Sequence, residues 1–241
     1  MAQQQATSDR WRAQLSPSPF GTIHAAVFSM PRPVGTLAPE PDAVRLARYT
    51  PDPHGPQVNR SGKGDHDLYQ GESRHAEEGY LTDLLSRDAV TYVKSRAAVA
   101  HQGKPFFLSL HYTTPHWPWE TRDDGHIPAE IGNSLAHVAG GDVETYRRMI
   151  HHMDEGIGWL VDALRAEGLL ENTLIVFTSD NGGERFSDNW PFVGGKMDLT
   201  EGGIRVPWIA HWPAVVPKGS VSAQHCMTMD WSATLLELGG G

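Results

Sequence analysis

The stretch "FTSDNGGE" (177–184) sets an acid, an amide and two glycines directly behind the apolar, β-branched run "TLIV". Asp180 offers a carboxylate and Asn181 an amide oxygen, two hard donors of the type that calcium takes. Side chains of neighbours diverge along an extended strand, but they can converge where the backbone turns at its end. Gly182 and Gly183 make that turn easy and let a ligand approach the backbone. Asp-Asn-Gly-Gly is equally ordinary composition for an Asx-turn, so on this stretch alone both readings stand.

"HYTTPHWPWE" (111–120) carries a second set of reactive side chains, His111 and His116. An imidazole on a loop at a strand end transfers protons near neutral pH or donates a hydrogen bond to an oxyanion. Pro115 and Pro118 stiffen the chain around His116; the plainer reading is a histidine packed among tryptophans. His126, His151 and His152 read as structural. "GGKMDLTEGGIRVP" (194–207) presents Lys196 behind one glycine pair and Glu201 ahead of another. Such a lysine is a compact cationic donor for a sulfate or phosphate oxygen. Arg205 reads as the partner of an acid inside the fold. The single cysteine, Cys226, permits no intramolecular disulfide and reads as a packed or idle thiol.

These groups need elements to hold them. Nine of the 17 prolines, from Pro17 to Pro56, crowd the first part of the chain, so residues 1–62 are expected to be irregular and 63–241 to form the domain. In that domain the spacing predicts a helix over 86–100 with Ser86 as its cap, and a stronger one over 141–168, capped by Asp142 and ended by Gly168. "KPFFLSL", "NTLIVFTSD" and "IRVPWIAHWP" read as strands, and "DWSATLLELGG" opens a last helix. Helices alternating with short apolar strands predict an α/β fold, a mostly parallel sheet with helices on both faces. Ligands in such folds gather at the carboxyl ends of strands, where "HYTTPHWPWE" and "DNGG" both lie.

The 241 residues suffice for one sizeable core or one domain plus an extension, and 39% apolar with 20% charged residues describes a soluble globular chain. A net charge of -9 without a basic stripe excludes a general nucleic-acid binder. No run approaches the ~20 apolar residues of a membrane helix. The opening "MAQQQATSDRWRAQ" has no apolar core of a secretory signal, so the expected location is cytoplasmic as the chain stands, or periplasmic or secreted if the true amino terminus is missing.

Taken in order, "PFFLSLHYTTPHWPWE", "YRRMIHHMDEGIGWLVDALRAEGLLENTLIVFTSDNGGE" and "GGKMDLTEGGIRVPWIAHWP" resemble the sulfatase family of the alkaline-phosphatase-like superfamily. "HDLYQGE" and "TMDWSATLLELGG" are also similar, so the resemblance covers about residues 64–241. It implies that Asp180 and Asn181 are ligands of a catalytic calcium. It also implies that His116 helps to protonate the leaving alcohol and that Lys196 binds a sulfate oxygen. The substrate implied is a sulfate-ester small molecule or a sulfated sugar.

One part of the family pattern is missing. Members attack sulfur with a formylglycine made from a Cys/Ser-x-Pro-x-Arg motif, and an acidic pair near the amino terminus supplies further metal ligands. "LSPSP" (15–19) has Leu15 where Cys or Ser should stand and Pro19 where Arg should stand. The chain is therefore expected to be a carboxyl-side portion of the catalytic domain that binds calcium weakly, turns over poorly or not at all, and exposes a sheet edge. The alternatives are a non-catalytic remnant that binds anions, and a phosphoester hydrolase of the same superfamily. The loop residues Trp117 and Trp119 are candidates for stacking on a sugar ring or for packing.

Overall fold

The structure, a computed structural model, describes residues 23–29, 42–46, 69–70, 73–74, 77, 79–116, 119–124 and 141–239. Expectations for Leu15, Pro19, Trp117 and His126 lie outside these residues. In chain order the elements are β1 (Ile23–Ser29), β2 (Asp42–Leu46), β3 (Tyr69–Gln70), β4 (Ser73–Arg74), α1 (Leu81–His101), β5 (Phe106–Tyr112), α2 (Val143–Ala166), a short 3-10 turn (Leu170–Asn172), β6 (Thr173–Ser179), α3 (Glu201–Ile204), β7 (Trp208–His211) and α4 (Thr228–Leu238).

Five strands form one sheet in the order β2-β5-β1-β6-β7, while β3 and β4 make a separate small hairpin. The α/β architecture with helices on both faces is as expected. On one face Phe106, Leu108, Leu110 and Tyr112 of β5, with Ile175 and Phe177 of β6, pack under α1 and α2 through Leu85, Val93, Met153, Leu160 and Leu164. On the other face Leu174 and Val176 meet Trp212 and the α4 residues Trp231, Leu235 and Leu238. Every position of β6 is buried, which is why its sequence is a continuous apolar run without alternation.

Two features differ from the expected arrangement. Strand directions are mixed: β2 pairs β5 in parallel, whereas β1 runs antiparallel to both β5 and β6, and β7 is antiparallel to β6. The strands β2, β5 and β6 still share one direction, and β1 is inserted between two of them. In addition, β1 and β2 fall inside the proline-rich segment 1–62, which was expected to be irregular. The prolines exclude long elements, but "IHAAVFS" and "DAVRL" are proline-free windows of strand length.

The strongest helix is as expected. Asp142 Oδ1 accepts from Thr145 N at 2.7 Å, and Gly168 adopts φ +69° just beyond the end. α1, by contrast, starts at Leu81, ahead of the expected cap. Ser86 is buried mid-helix, where its hydroxyl donates to Thr82 O (2.6 Å) and shares a hydrogen bond with Tyr112 Oη (2.9 Å). Gly156 of α2 faces it so closely that a Cβ there would lie 2.0 Å from Ser86 Oγ. Small residues thus bring α1, α2 and β5 together.

Candidate active site

The turn that follows β6 is built by local side-chain bonds together with backbone bonds to a segment about 20 residues further on. Ser179 Oγ donates to Asn181 O (3.1 Å), and Gly182 N donates to Gly203 O (2.8 Å). Asn189 straps the next residue from both sides: its Oδ1 accepts from Gly183 N (3.2 Å), and its Nδ2 donates to Gly183 O (3.1 Å) and Gly194 O (3.0 Å). Lys196 N also donates to Gly183 O, at 2.9 Å. The glycines are there for space: a Cβ at Gly182 would sit 1.9 Å from Gly202 O, and one at Gly203 would sit 2.1 Å from Asp198 O.

This backbone knot ties Lys196 to Gly183, two residues beyond Asn181, although Lys196 lies 15 positions after Asn181 in the chain. The Lys196 side chain is largely buried, and its ammonium Nζ donates to Glu184 Oε2 at 3.0 Å. Phe186 (φ 71°) and Met197 (φ 79°) are bulky residues in the left-handed region, next to this pair in sequence. Conformations of that kind persist where surrounding contacts over-determine them.

Asp180 is exposed at the strand end, while Asn181 Oδ1 is buried without a hydrogen-bond partner. A buried acceptor left unmade costs about 1–3 kcal/mol, so this oxygen is poised for a ligand. It suits a cation in donor type. The number of donors does not suit one: no cluster of three or more His, Cys, Asp or Glu side chains able to hold a metal occurs among the described residues. The pair supplies two oxygen donors.

The loop with His116 leaves the same end of the sheet. Tyr112 of β5 and Ser179 of β6 both register with Ile23 of β1, so the two strands finish side by side with one strand between them. His116 N donates to Thr113 O (2.8 Å), closing a tight turn, and the imidazole is half-buried. Thr114 is pinned to α1 by a buried hydrogen bond with Thr82 (2.6 Å). Beyond it, Trp119 is buried and meets Phe186 edge-on at 4.7 Å, and the Arg185 guanidinium lies over both rings. The His116 loop and the Asp180 loop therefore touch through these rings. Trp119 is a packing residue.

Other polar residues have settled roles. His111 shares a hydrogen bond with Ser109 (2.7 Å), and His152 is buried edge-on to Tyr80 (5.7 Å). Arg205 pairs with Glu201 (3.0 Å) and stacks on Phe192, but at the surface and not inside the fold. Cys226 is exposed, not packed.

Sequence reasoning passed over two acids. Glu184 closes "DNGGE", yet only the fold brings it to Lys196. Glu120 is buried beside the site loop, and burial, with Asp124 nearby, pushes its carboxyl up to about 8. An acid directly after Trp119 in an aromatic loop was the available signal.

The Sulfatase family profile matches residues 42–241. This chain is 34% identical over 169 residues to N-acetylgalactosamine-6-sulfatase of Sus scrofa, covering 68% of this chain and 30% of that protein. It is 35% identical over 180 residues to steryl-sulfatase of Mus musculus, covering 69% of this chain and 26% of that one. Among solved structures, Ps i-CgsB in complex with k-i-k-neocarrahexaose superposes with a TM-score of 0.62 at 34% identity, over 75% of this chain and 40% of that one. The chain belongs to the sulfatase family and has the alkaline-phosphatase-like fold of these neighbours. It spans 26–30% of the length of these curated relatives.

Proposed function

We propose that residues 63–241 supply the leaving-group and oxyanion side of a sulfuric ester hydrolase active site. The observation that carries this reading is the Gly183 knot, which ties the backbone of Lys196 to the loop that bears the unpartnered Asn181 oxygen at the end of a central strand. Cleaving a sulfate ester requires charge neutralisation on the non-bridging oxygens, an in-line nucleophile and a proton for the departing alcohol. Lys196 serves the first need by donating to a sulfate oxygen. His116 serves the third by protonating the alcohol oxygen. Asp180 and Asn181 supply two oxygen donors toward calcium, which takes ~6–8, so affinity through these residues alone is low.

No group in the recognised motifs serves as nucleophile, so turnover by the chain alone is expected to be minimal. This favours the reading of an anion-binding portion over that of a self-sufficient enzyme. The substrate would be a sulfated sugar or another small sulfate ester, in keeping with the relatives' names. No helix among the described residues is long and apolar enough to cross a membrane.

Two measurements test the proposal. Phenyl sulfate should bind with at least ~10-fold loss in Lys196→Ala, as expected when a hydrogen bond to a charged group is removed. Calorimetric titration should show weak calcium binding that disappears in Asp180→Ala. Sulfate release at enzymatic rates would refute the non-catalytic reading, and faster release of phosphate than of sulfate would favour a phosphoesterase. Phenyl sulfate binding that ignores Lys196→Ala would remove the proposed site.

A further inference from the structure

The Lys196 ammonium already has an anionic partner within the fold. Glu184 Oε2 lies 3.0 Å from Nζ, and both side chains are mostly buried, with 19% of Lys196 and 25% of Glu184 accessible. The pair is anchored from the main chain as well, since Lys196 N donates to Gly183 O, the carbonyl immediately before Glu184. The main chains that carry the two side chains are thus held together when a ligand arrives. An ammonium has three donors, so one can remain on Glu184 while another reaches a ligand oxygen. Two acceptors on one tetrahedral nitrogen lie about 5 Å apart at ordinary hydrogen-bond lengths.

A carboxylate at that distance opposes each negative charge on the ligand separately. A sulfate monoester carries one negative charge, whereas a phosphate monoester, with its second ionisation near ~6, carries about two at pH 8. Their shapes and oxygen placements are nearly the same, so shape and hydrogen bonding discriminate poorly between them. Charge discriminates well.

We propose that Glu184 is a specificity-determining residue, a built-in counter-charge on Lys196 that selects monoanionic esters over dianionic phosphate monoesters. The proposal rests on the anion pocket at Lys196 described above. It assigns Glu184 no contact with the ligand; the residue acts through Lys196 and through its own field. The guanidinium of Arg185, the next residue, is engaged over the Trp119 and Phe186 rings, and Lys196 is the cation that the Glu184 carboxylate faces.

The test uses three probes at pH 8 on the full chain: phenyl sulfate, phenyl phosphate and methyl phenyl phosphate, the last a phosphorus ester with a single charge. Wild-type protein should bind phenyl sulfate and methyl phenyl phosphate more tightly than phenyl phosphate. Glu184→Gln keeps an oxygen that accepts from Nζ and removes the charge. It should tighten the monoanions roughly fivefold and the dianion roughly 25-fold at a water-like effective dielectric. The preference should therefore narrow by about fivefold, most strongly at low salt.

Equal binding of all three probes by wild-type protein overturns the proposal without recourse to any variant. A Glu184→Gln protein that strengthens every probe by the same factor also overturns it. If no probe binds wild-type protein, or Lys196→Ala changes nothing, the pocket itself falls and the selector with it. Those outcomes differ from binding with an unchanged preference, which removes Glu184 alone.

Discussion

At the scale of single residues, the site depends on glycines that leave no room for a side chain. Gly182 is the sharpest case, because the obstacle is backbone: a methyl there would meet Gly202 O at 1.9 Å. Gly182→Ala is expected to destabilise the chain by about 2–3 kcal/mol, the range of overpacking in a rigid surround. It should also weaken phenyl sulfate binding as the 182–203 contacts part. Thermal unfolding and a binding isotherm on one preparation check both. Asn181 and Asp180 are neighbours with opposite environments, one oxygen buried and unpartnered and one carboxylate in solvent. That contrast is invisible in "SDNGG", where either residue reads as a turn former.

The element that presents His116 is a loop clamped at several points. Thr114 is bonded to α1, Tyr80 Oη donates to Glu120 O (3.3 Å), and Arg122 bridges Asp83 of α1 (2.9 Å) and Glu155 of α2 (3.0 Å). Buried Glu120 makes this clamp sensitive to pH. Its folded-state pKa is raised above the unfolded value by burial, so the folded chain holds the proton more tightly between about 4.5 and 8. Stability is therefore highest below that window and falls as pH rises through it. Glu120→Gln should flatten the dependence and raise stability at pH 9 by about 2–4 kcal/mol, with little change at pH 4. Chemical denaturation at the two pH values measures this. The loop was legible as a carrier of chemistry because histidine, proline and tryptophan crowd one short stretch. Its clamps were not, since Asp83 and Glu155 sit a helix or more away in sequence.

For the whole molecule, the decisive feature is the place of β1. It is hydrogen-bonded to β5 on one side and β6 on the other, so it joins the strand that leads to His116 to the strand that leads to Asp180. Deleting residues 1–62 removes β2 as well as β1 and should leave both edges of β5 and one edge of β6 unpaired. The truncated chain is expected to lose its cooperative unfolding transition and to self-associate, which circular dichroism and light scattering would register. Retention of a sharp transition would mean that the helices hold the sheet together without β1. The opposite edge already presents large apolar groups, among them Trp208 of β7 (46% exposed) and Met229 and Leu236 of α4 (69% and 67%).

The amino-acid sequence by itself determined the local elements and the types of chemical group: the buried β6 run, the capped α2, the carboxylate–amide pair and the glycine-bracketed lysine. These depend on residues close along the chain, where capping, periodicity and turn chemistry act. Strand direction, the insertion of β1, the Lys196–Glu184 pair and the burial of Glu120 were decided by tertiary structure. Each is set by contacts between distant segments, and sheet pairing, desolvation and Coulomb interaction depend on separation in space, which no local pattern encodes.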